Sequence, residues 1–418
     1  MGVGHDMALA AAAAATSPFW GYHLLRTGKW RTDWPGRFGR CPALPYDGRP
    51  TLLIHAVSVG EINAIRLLVD ALSKQTDWHI AISTTTNTGI QRGRTLYQPG
   101  HRVVRYPLDF SPAVKTFLDA VHPDLVALVE LEVWPNFTEF CQKRDIPLVV
   151  INGRLSDVGF SRYRFVRPLV RTMFNRLAAV AAQSQTYGRR FESLGVPRRC
   201  VHVLDTMKWD TAQIADEVPG AEQLADQMGI DRSRPLVVAG STAPGEEELL
   251  IRTCPADAQL LLAPRKPEWF DNVAAIAPNI VRRTHHRNSS KRAVDGQRLF
   301  LLDTIGELRK AYVLADVAIV GRSFLGLFGS DMIEPIALGK PTITGPHHSN
   351  FTDTVQALVE GRGLVVTEHP GDAAADLIRD RDRAADLANR GRAVIRAHQG
   401  ATQRHVELLK SLMTSQRS

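Results

Sequence analysis

The chain contains 418 residues, of which 44% are hydrophobic and 22% charged, and its formal net charge is +8. This length is sufficient for two domains, and the composition is that of a globular protein, which excludes disordered and fibrous classes. The positive charge favours an anionic partner, namely a phosphorylated substrate, an acidic membrane surface or a nucleic acid. We find no helix-turn-helix, zinc-finger or RNA-recognition signature, so nucleic acid is the least supported partner.

Residues 1–30 form a candidate membrane-associating segment. Residues 7–22 are mildly apolar, but Pro18 interrupts them and they are fewer than the ~20 apolar residues that a spanning helix needs. No basic region precedes them, which argues against a signal peptide. Basic residues then alternate with tryptophan, namely Arg26, Lys29, Arg31, Arg37 and Arg40 with Trp30 and Trp34. This pattern fits an interfacial membrane contact, and equally a disordered leader with a solvated basic loop.

From residue 50 onward, apolar runs alternate with helical periodicity. Strands are predicted at 52–59, 79–83, 102–106, 125–130, 148–152, 178–182 and 201–204. A polar, helix-like stretch at 212–234 is predicted to be a linker. The alternation then restarts with the runs PLVVAGST, AQLLLAPR, NIVRRT, RLFLLD, VAIVG and KPTITG. The sequence therefore predicts two α/β units with parallel sheets, at 31–211 and at 235–418, the second including the terminal helices.

The four cysteines, Cys41, Cys141, Cys200 and Cys254, are far apart and form no CxxC pair. Their spacing argues against a zinc site or a disulfide framework and is compatible with a reducing compartment.

Polar residues follow the predicted strands of the first half, where open α/β sheets bind their ligands. In "SVGE", Ser58 and Glu61 fit a capping box, and the same glutamate fits a catalytic carboxylate. A carboxylate at that helix N-terminus is expected to stay ionised. The hydroxyl groups of "STTTNTG" could bind sugar hydroxyls or phosphate, or they could cap a helix. In "VELEVWPN", Glu130 and Glu132 lie on one face if the strand continues, and burying them requires hydrogen bonds.

The second half repeats this pattern. "AGSTAPGEEE" places Ser241 and Thr242 between a strand and a helix, where free amides can bind phosphate, although no GxxxxGK[ST] or GxGxxG motif is present. "APRKPEWF" places Arg265 and Lys266 at the next strand end, as phosphate-facing cations or as solvated surface. Glu334, in "DMIEPIALG", could accept hydrogen bonds from a ribose, or the same turn could serve only for helix capping by Ser330 or Asp331.

These motifs, taken in order, resemble the 3-deoxy-D-manno-octulosonic acid (Kdo) transferases. The similar segments are IHAVSVGEINA, STTTNTG, PLDF, DLVALVELEVWPN, INGRLS, AGSTAPGEEE, APRKPEWF, DTIGELRKAYVLADVAIVGRSF and EPIALGKPTITGPHHSNFTD, and they run from about Trp30 to Asp353. The resemblance implies a GT-B glycosyltransferase fold, with two Rossmann-like domains facing across a cleft. It also implies inverting transfer of Kdo from CMP-Kdo to a lipid A precursor, with no metal or other cofactor.

The resemblance also implies a location and residue roles. The location is the cytoplasmic face of the inner membrane, with peripheral attachment or a single N-terminal anchor. Glu61 matches the general base, and the acceptor-side residues are Ser58, Gly60, Thr85, Glu130, Glu132 and Arg154. The nucleotide-sugar-binding residues are Lys208, Ser241, Thr242, Arg265, Lys266, Gly306, Ser323, Asp331, Glu334 and Asn350. The sequence gives no indication of the oligomeric state.

Departures from the family pattern cluster in the nucleotide half. "FGSDMIEP" replaces a "GGHNPLEP"-like sequence, so that Asp331 stands where an amide is usual. Lys266 replaces a histidine, "GRS" replaces "GGS", and "LDTMKWD" keeps Lys208 but loses a Gly-Asn pair. An extra carboxylate beside an anionic donor should weaken the binding of CMP-Kdo. Two alternatives follow, namely a related GT-B transferase for another nucleotide sugar or lipid acceptor, and a catalytically silent binding homologue.

Overall fold

The structure, a computed structural model, describes Asp6 and residues 32–286 and 297–417. Apart from Asp6, the predicted membrane-associating segment 1–30 lies outside the described residues. The chain divides into two compact units, Met1–Asp210 with Gly400–Ser418, and Thr211–Gln399. Each unit contains a seven-stranded sheet in which all the pairs are parallel, with helices between the strands. The predicted α/β class is confirmed.

The first unit has the strand order β3-β2-β1-β4-β5-β6-β7. Its strands are β1 Thr51–His55, β2 His79–Thr84, β3 Arg102–Arg105, β4 Leu125–Val129, β5 Leu148–Gly153, β6 Ala179–Ala182 and β7 Val201–Val203. Its helices are α1 Trp34–Arg37, α2 Val59–Ala64, α3 Arg66–Gln75, α4 Asn87–Tyr97, α5 Ser111–Val121, α6 Pro135–Lys143, α7 Asp157–Phe165, α8 Arg167–Phe174 and α9 Gln185–Leu194. The strand order reverses between β1 and β4, and ligands bind at the carboxyl ends of strands beside such a switch point.

Alternation along the strands builds a core on each face of this sheet. Leu53 of β1 packs into a cluster with Phe117 and Phe137, whereas Leu52 and Ile54 pack into the cluster on the other side. Both faces are therefore apolar, which explains why β1 reads as a continuous hydrophobic run rather than as an alternating one.

The second unit has the strand order β10-β11-β9-β8-β12-β13-β14. Its strands are β8 Leu236–Thr242, β9 Gln259–Pro264, β10 Val281–Arg282, β11 Leu299–Leu301, β12 Val317–Val320, β13 Thr342–Thr344 and β14 Val365–Val366. Its helices are α10 Ala221–Met228, α11 Glu246–Thr253, α12 Phe270–Ile276, α13 Leu308–Leu314, α14 Ile333–Ala337, α15 Thr352–Glu360, α16 Pro370–Arg379 and α17 Arg381–His398. The switch point of this sheet lies between β8 and β12, and the short edge strand β14 was not predicted.

Two predicted domain boundaries differ from the structure. The stretch 212–234 is part of the second unit, because Leu224 and Met228 of α10 are buried in its core with Tyr312. The last helix, α18 Ala401–Arg417, belongs to the first unit, because its apolar residues, including Leu409, complete that core. None of the helices in the described part of the chain is both long enough and apolar enough to cross a membrane.

Candidate active site

Glu61 lies in the first turn of α2, just beyond the carboxyl end of β1. Ser58 caps this helix by accepting a hydrogen bond from the Glu61 amide at 3.4 Å. Both carboxylate oxygens of Glu61 are held, since Oε1 accepts from Ser58 Oγ at 2.9 Å and Oε2 accepts from the Val57 amide at 2.8 Å. The capping interpretation is confirmed, and the same contacts fix the carboxylate in one orientation, as a positioned base requires.

Partial burial raises the pKa of Glu61 to about 7, and repulsion from Glu130 and Glu132 adds to this rise. Hydrogen bonds from Val57 and Ser58 lower the pKa but do not offset the rise. The expectation that the helix N-terminus keeps this group ionised was wrong in direction. Loss of water around the carboxylate outweighs the amides of a helix of only six residues. A carboxylate with a pKa near neutrality is suited to accept a proton at neutral pH.

Glu130 and Glu132 follow β4, which is the strand beside β1. The strand ends at Val129 and Glu130 has a left-handed φ of +62°, so the continuing strand that would have placed both acids on one face is not present. Glu132 accepts a hydrogen bond from Trp134 Nε1 at 2.9 Å, and burial raises its pKa. Because both charges act on Glu61, the three residues form one group, which we call the carboxylate cluster.

The threonines at and just after the end of β2 hold the loop between β1 and α2. The hydroxyls of Thr84 and Thr86 both donate to the Val57 carbonyl, at 2.9 and 3.2 Å, and Thr86 also caps α4. The Thr85 carbonyl accepts from Arg105 Nη1 at 2.7 Å. The capping alternative therefore holds for Thr86, and the Val57 amide that binds Glu61 belongs to a peptide segment fixed by two hydroxyls.

Arg154 and Gly60 lie at the same edge of the first sheet. Arg154 follows β5, and its amide donates to the Glu130 carbonyl at 3.3 Å. Gly60 is exposed, and a Cβ at this position would meet only Ser58 Oγ, at 3.7 Å. Lys208 lies in a 3-10 turn, Met207–Thr211, and it belongs to the first unit, whereas the other predicted nucleotide-sugar-binding residues belong to the second.

Glu246 organises the corresponding edge of the second sheet and was not predicted. Its side chain is fully buried and accepts four backbone hydrogen bonds. Oε1 accepts from the amides of Ser323 and Phe324 at 2.8 and 3.0 Å, and Oε2 accepts from those of Ala243 and Arg322 at 3.0 and 2.6 Å. One carboxylate thus joins the loop after β8 to the loop after β12, on the two sides of the switch point.

Ser241 and Thr242, at the end of β8, are both buried. Ser241 has a left-handed φ of +57°, which turns the chain sharply towards α11. The Thr242 hydroxyl donates to Glu247 Oε1 at 2.6 Å. In the described structure, Thr242 therefore supports α11 through its side chain, and its proposed donor contact would have to use other atoms.

Glu247→Gln is expected to stabilise the second unit above neutral pH. Burial raises the pKa of Glu247 to about 7, so the folded state binds a proton more tightly than the unfolded state and stability falls as pH rises from about 4.5 to 7. Glutamine keeps an acceptor for Thr242 without this loss, which amounts to about 1–3 kcal/mol. Urea unfolding at pH 5 and pH 8 measures the difference, and equal wild-type stability at the two pH values would contradict it.

Ser323 is buried, and its hydroxyl bonds to the backbone of neighbouring residues. Its hydroxyl donates to the Val320 carbonyl at 2.7 Å and accepts from the Gly345 amide at 2.8 Å. The loop after β12 is thus tied to the end of β13.

The other predicted donor residues of the second unit lie mainly at its surface. Arg265 is exposed, and its amide donates to the Thr242 carbonyl at 3.0 Å, which places it at the end of β9 beside β8. Lys266 is also exposed and forms an ion pair with Glu268 at 3.1 Å, as the solvated-surface alternative predicted. Gly306 is exposed with a left-handed φ of +91°, and the Asn350 amide donates to the carbonyl of Phe328 at 3.1 Å.

The charges of Glu334 and Asp331 both act on the buried Tyr312. Burial raises the pKa of Glu334, Arg309 opposes that rise, and Asp331 adds to it. The pKa of Tyr312 is raised by burial and by both acids, and Arg265 opposes the rise. The Asp331 carboxylate also accepts from the Ile333 amide at 2.9 Å, as in helix capping. These effects bring Glu334, Asp331, Arg309 and Arg265 into one region. The described residues contain no group of three or more His, Cys, Asp or Glu side chains that could hold a metal ion.

Two departures from the family pattern lie at left-handed positions. Arg322, where the family has a second glycine, has φ +59°, and Asp205, where a Gly-Asn pair is usual, has φ +64°. Glycine adopts this region without the steric cost that other residues bear. In this chain, the left-handed backbone at Arg322 and Asp205 must therefore be held by contacts with neighbouring residues.

Comparisons with known proteins identify relatives of this chain over most of its length. Residues 32–211 match the family model described as 3-Deoxy-D-manno-octulosonic-acid transferase (kdotransferase). The chain is 31% identical to the 3-deoxy-D-manno-octulosonic acid transferase of Haemophilus influenzae over 388 residues, covering 90% of this chain and 89% of that protein. It is also 31% identical to the enzyme of the same name from Bordetella pertussis, covering 92% of each chain.

Solved structures of glycosyltransferases share the fold. HepE from Anabaena, in complex with UDP and glucose, aligns with a TM-score of 0.57 at 16% identity over 87% of this chain and 100% of HepE. MurG from Acinetobacter baumannii aligns with a TM-score of 0.55 at 12% identity over 87% of this chain and 99% of MurG. These similarities confirm the GT-B fold. With the family match and the two relatives above 30% identity, the chain belongs to the 3-deoxy-D-manno-octulosonic acid transferase family of glycosyltransferases.

Proposed function

We propose that this protein transfers Kdo from CMP-Kdo to a lipid A precursor, with inversion and without a metal. The observation that carries the proposal is the Glu61 carboxylate, which is fixed by Ser58 and Val57, has a pKa of about 7 and lies at the switch point of the first sheet. This is the chemistry and the location expected of a general base in an open α/β sheet.

In the proposed reaction, Glu61 takes the proton of an acceptor hydroxyl as that oxygen bonds to the anomeric carbon of Kdo. The bond from this carbon to the CMP phosphate breaks, and its electron pair leaves with CMP. Glu130 and Glu132 lie beside the base on the acceptor side, and their charges keep the proton on Glu61 once it has been taken. Attack on the face opposite the leaving group gives inversion.

The leaving phosphate needs positive charge and hydrogen-bond donors. We propose that Arg265, at the end of β9, and the turn at Ser241 supply them, and the resemblance implies a similar role for Lys208. Glu334 is proposed to hold the ribose, in keeping with its half-buried position and with the positive charge of Arg309 that acts on it.

The proposed acceptor and location follow from charge. An anionic, phosphorylated lipid suits a chain with a net charge of +8. Of the basic residues that alternate with tryptophan near the N-terminus, the structure describes Arg37 and Arg40. We place the enzyme at the cytoplasmic face of the inner membrane, where such a precursor would be met.

An in vitro transfer assay tests the proposal. The purified protein is incubated with CMP-Kdo and a lipid A precursor, and the product is read by mass together with release of CMP. Addition of Kdo to the lipid, dependent on both substrates, is expected. Calorimetric titration with CMP, UDP and GDP provides the second arm, and tight binding of UDP without binding of CMP would reject CMP-Kdo as the donor.

A second candidate function is transfer from another nucleotide sugar, and Asp331 is the observation that favours it. If CMP-Kdo is the donor, Asp331→Asn is expected to tighten its binding about fivefold, since removing one exposed like charge near an anion is worth about 1 kcal/mol. Calorimetry at low and high salt measures this change, with Asp226→Asn, an exposed aspartate of the same unit, as the matched control. Weaker binding in Asp331→Asn would instead indicate that the carboxylate binds a hydroxyl or cationic group of a different sugar.

A further inference from the structure

The segment 204–210 follows β7 at the carboxyl edge of the first sheet and carries Lys208. The Lys208 amide donates to Thr206 Oγ1 at 3.3 Å, and Asp205 keeps its left-handed φ of +64° without being glycine. Such a backbone persists only where its surroundings determine it. The contacts that do so come from the other end of the chain.

Helix α18 holds both ends of this segment. Arg404 Nη2 donates to Asp205 Oδ2 at 2.8 Å, and it also reaches the preceding carbonyl at 3.1 Å. At the other end, the Asp210 carboxylate accepts from the amides that begin the helix, including that of Gly400 at 2.6 Å. The residues flanking Lys208 on each side are therefore bound to one helix.

His405 of the same helix makes a third, buried connection. Its Nδ1 donates to the Ala401 carbonyl at 2.7 Å, so that Nε2 is free of hydrogen and accepts from the Asn152 amide at 3.1 Å. Asn152 lies in β5, and its Oδ1 in turn accepts from the amide of Met207 at 3.3 Å. Burial lowers the pKa of His405 to about 4, which keeps the ring neutral and able to accept.

The helix is itself rigidly placed. Val406, Leu409 and Met413 are buried in the core on one face of the first sheet, together with Leu68 and Leu72 of α3. Because the apolar face of α18 is fixed in the core, the polar residues at the start of the helix can hold the segment 204–210 in place.

We propose that α18 is a positioning element for the reaction: it holds the Lys208 turn at the carboxyl edge of the first sheet, with Arg404 and His405 as positioning residues. This inference rests on the proposed function in one respect, because Lys208 is taken to act on the donor. The positioning residues act through the segment 204–210 and through Asn152.

The test uses Asp205→Asn and Arg404→Gln in the full-length protein. Asparagine tolerates the left-handed region, so Asp205→Asn removes the ion pair while the backbone conformation remains allowed. This variant keeps the test valid if Arg404→Gln does not fold. Lys410→Ala is the matched control, since Lys410 is an exposed cation on the same helix.

The first measurement is amide hydrogen exchange in the ligand-free protein. Peptides that cover 204–210 are expected to exchange about 10-fold faster in both variants than in the wild type, whereas those from β1 and β4 are unchanged. Exchange at 204–210 equal to that of Lys410→Ala would overturn the proposal.

The second measurement is a double-mutant cycle with Lys208→Ala. Asp205→Asn and Arg404→Gln are each expected to lower kcat/KM for the donor about 10-fold. When either is combined with Lys208→Ala, kcat/KM should stay within about 2-fold of that of Lys208→Ala alone. Effects that multiply would show that α18 does not act through Lys208. If the wild type fails to turn over CMP-Kdo, the proposed function is refuted, whereas the exchange result still decides whether α18 holds the segment.

Discussion

Glu61→Gln is expected to lower the transfer rate about 10²- to 10⁴-fold, which is the range for loss of a general base. Glutamine can still accept from the Val57 amide and donate to Ser58 Oγ, so that the loop between β1 and α2 keeps its contacts. Substrate binding should change little, because the lost interaction is proton transfer. The expected kinetic result is a lower kcat with a nearly unchanged KM, measured by CMP release.

The pH dependence of the wild type follows from the same residue. Only the ionised form of Glu61 can take a proton, and its pKa is about 7. Below this value kcat/KM should rise up to about tenfold per pH unit, and above it the rate should level off. The acidic limb should disappear in Glu61→Gln. The apparent pKa is not set by Glu61 alone, since the charges of Glu130 and Glu132 also raise it.

The stability of Glu61→Gln separates chemistry from folding. A raised carboxyl pKa means that the folded state binds protons more tightly than the unfolded state, so the wild type loses stability between about pH 4.5 and 7. Glutamine removes this loss, and the variant should be at least as stable as the wild type at pH 8. Glu407→Gln, an exposed glutamate on α18, is the control for activity and stability. Full transfer activity in Glu61→Gln would refute its assignment as the base.

Local features of the fold could be predicted from the sequence. The paired apolar runs and helical patterns predicted two parallel α/β units, and the S-x-x-E spacing predicted the contacts of Ser58 and Glu61. These depend on residues within four positions of one another. The strand ends were placed less well, because a single left-handed residue such as Glu130 ends the alternation that defines a strand.

Long-range partners could not be predicted. Nothing in "GEEE" distinguishes Glu246, which accepts amides 76 to 78 residues away, from its two acidic neighbours. His405 binds an amide 253 residues earlier in the chain, so the last helix was assigned to the wrong unit by its position in the sequence. The helical periodicity of α18 indicates an apolar face, but it does not indicate which core buries that face.

The departures in the nucleotide half gain a physical meaning from the backbone. Arg322 and Asp205 occupy left-handed positions, Arg322 held through its backbone amide and Asp205 through its side chain. The Arg322 amide donates to Glu246, and Asp205 pairs with Arg404. The left-handed turns at these two positions are therefore held by these contacts, whereas the departure at Asp331 adds a negative charge.

Glu246→Ala is expected to be strongly destabilising and to remove donor binding. The carboxylate accepts from four backbone amides in a site with no exposed side-chain surface, and each buried donor left without a partner costs about 1–3 kcal/mol. Water can reach some of these donors in the cavity that alanine leaves, so the expected loss is about 3–5 kcal/mol in the free energy of unfolding, measured with urea. That is a large part of the stability of an ordinary domain.

Glu248→Ala is the matched control, because Glu248 is an exposed acid in the same helical turn, and its removal should change stability by less than about 0.5 kcal/mol. Glu246→Gln should fall between the two. One glutamine oxygen can serve the Ser323 and Phe324 amides, but the amide NH₂ would then face the N–H groups of Ala243 and Arg322. Calorimetric titration of the folded Glu246→Gln variant with CMP tests whether the loss of these hydrogen bonds affects function. If the loops after β8 and β12 form the donor site, the affinity for CMP must fall together with the stability. Unchanged CMP affinity would place the nucleotide away from the switch point of the second sheet.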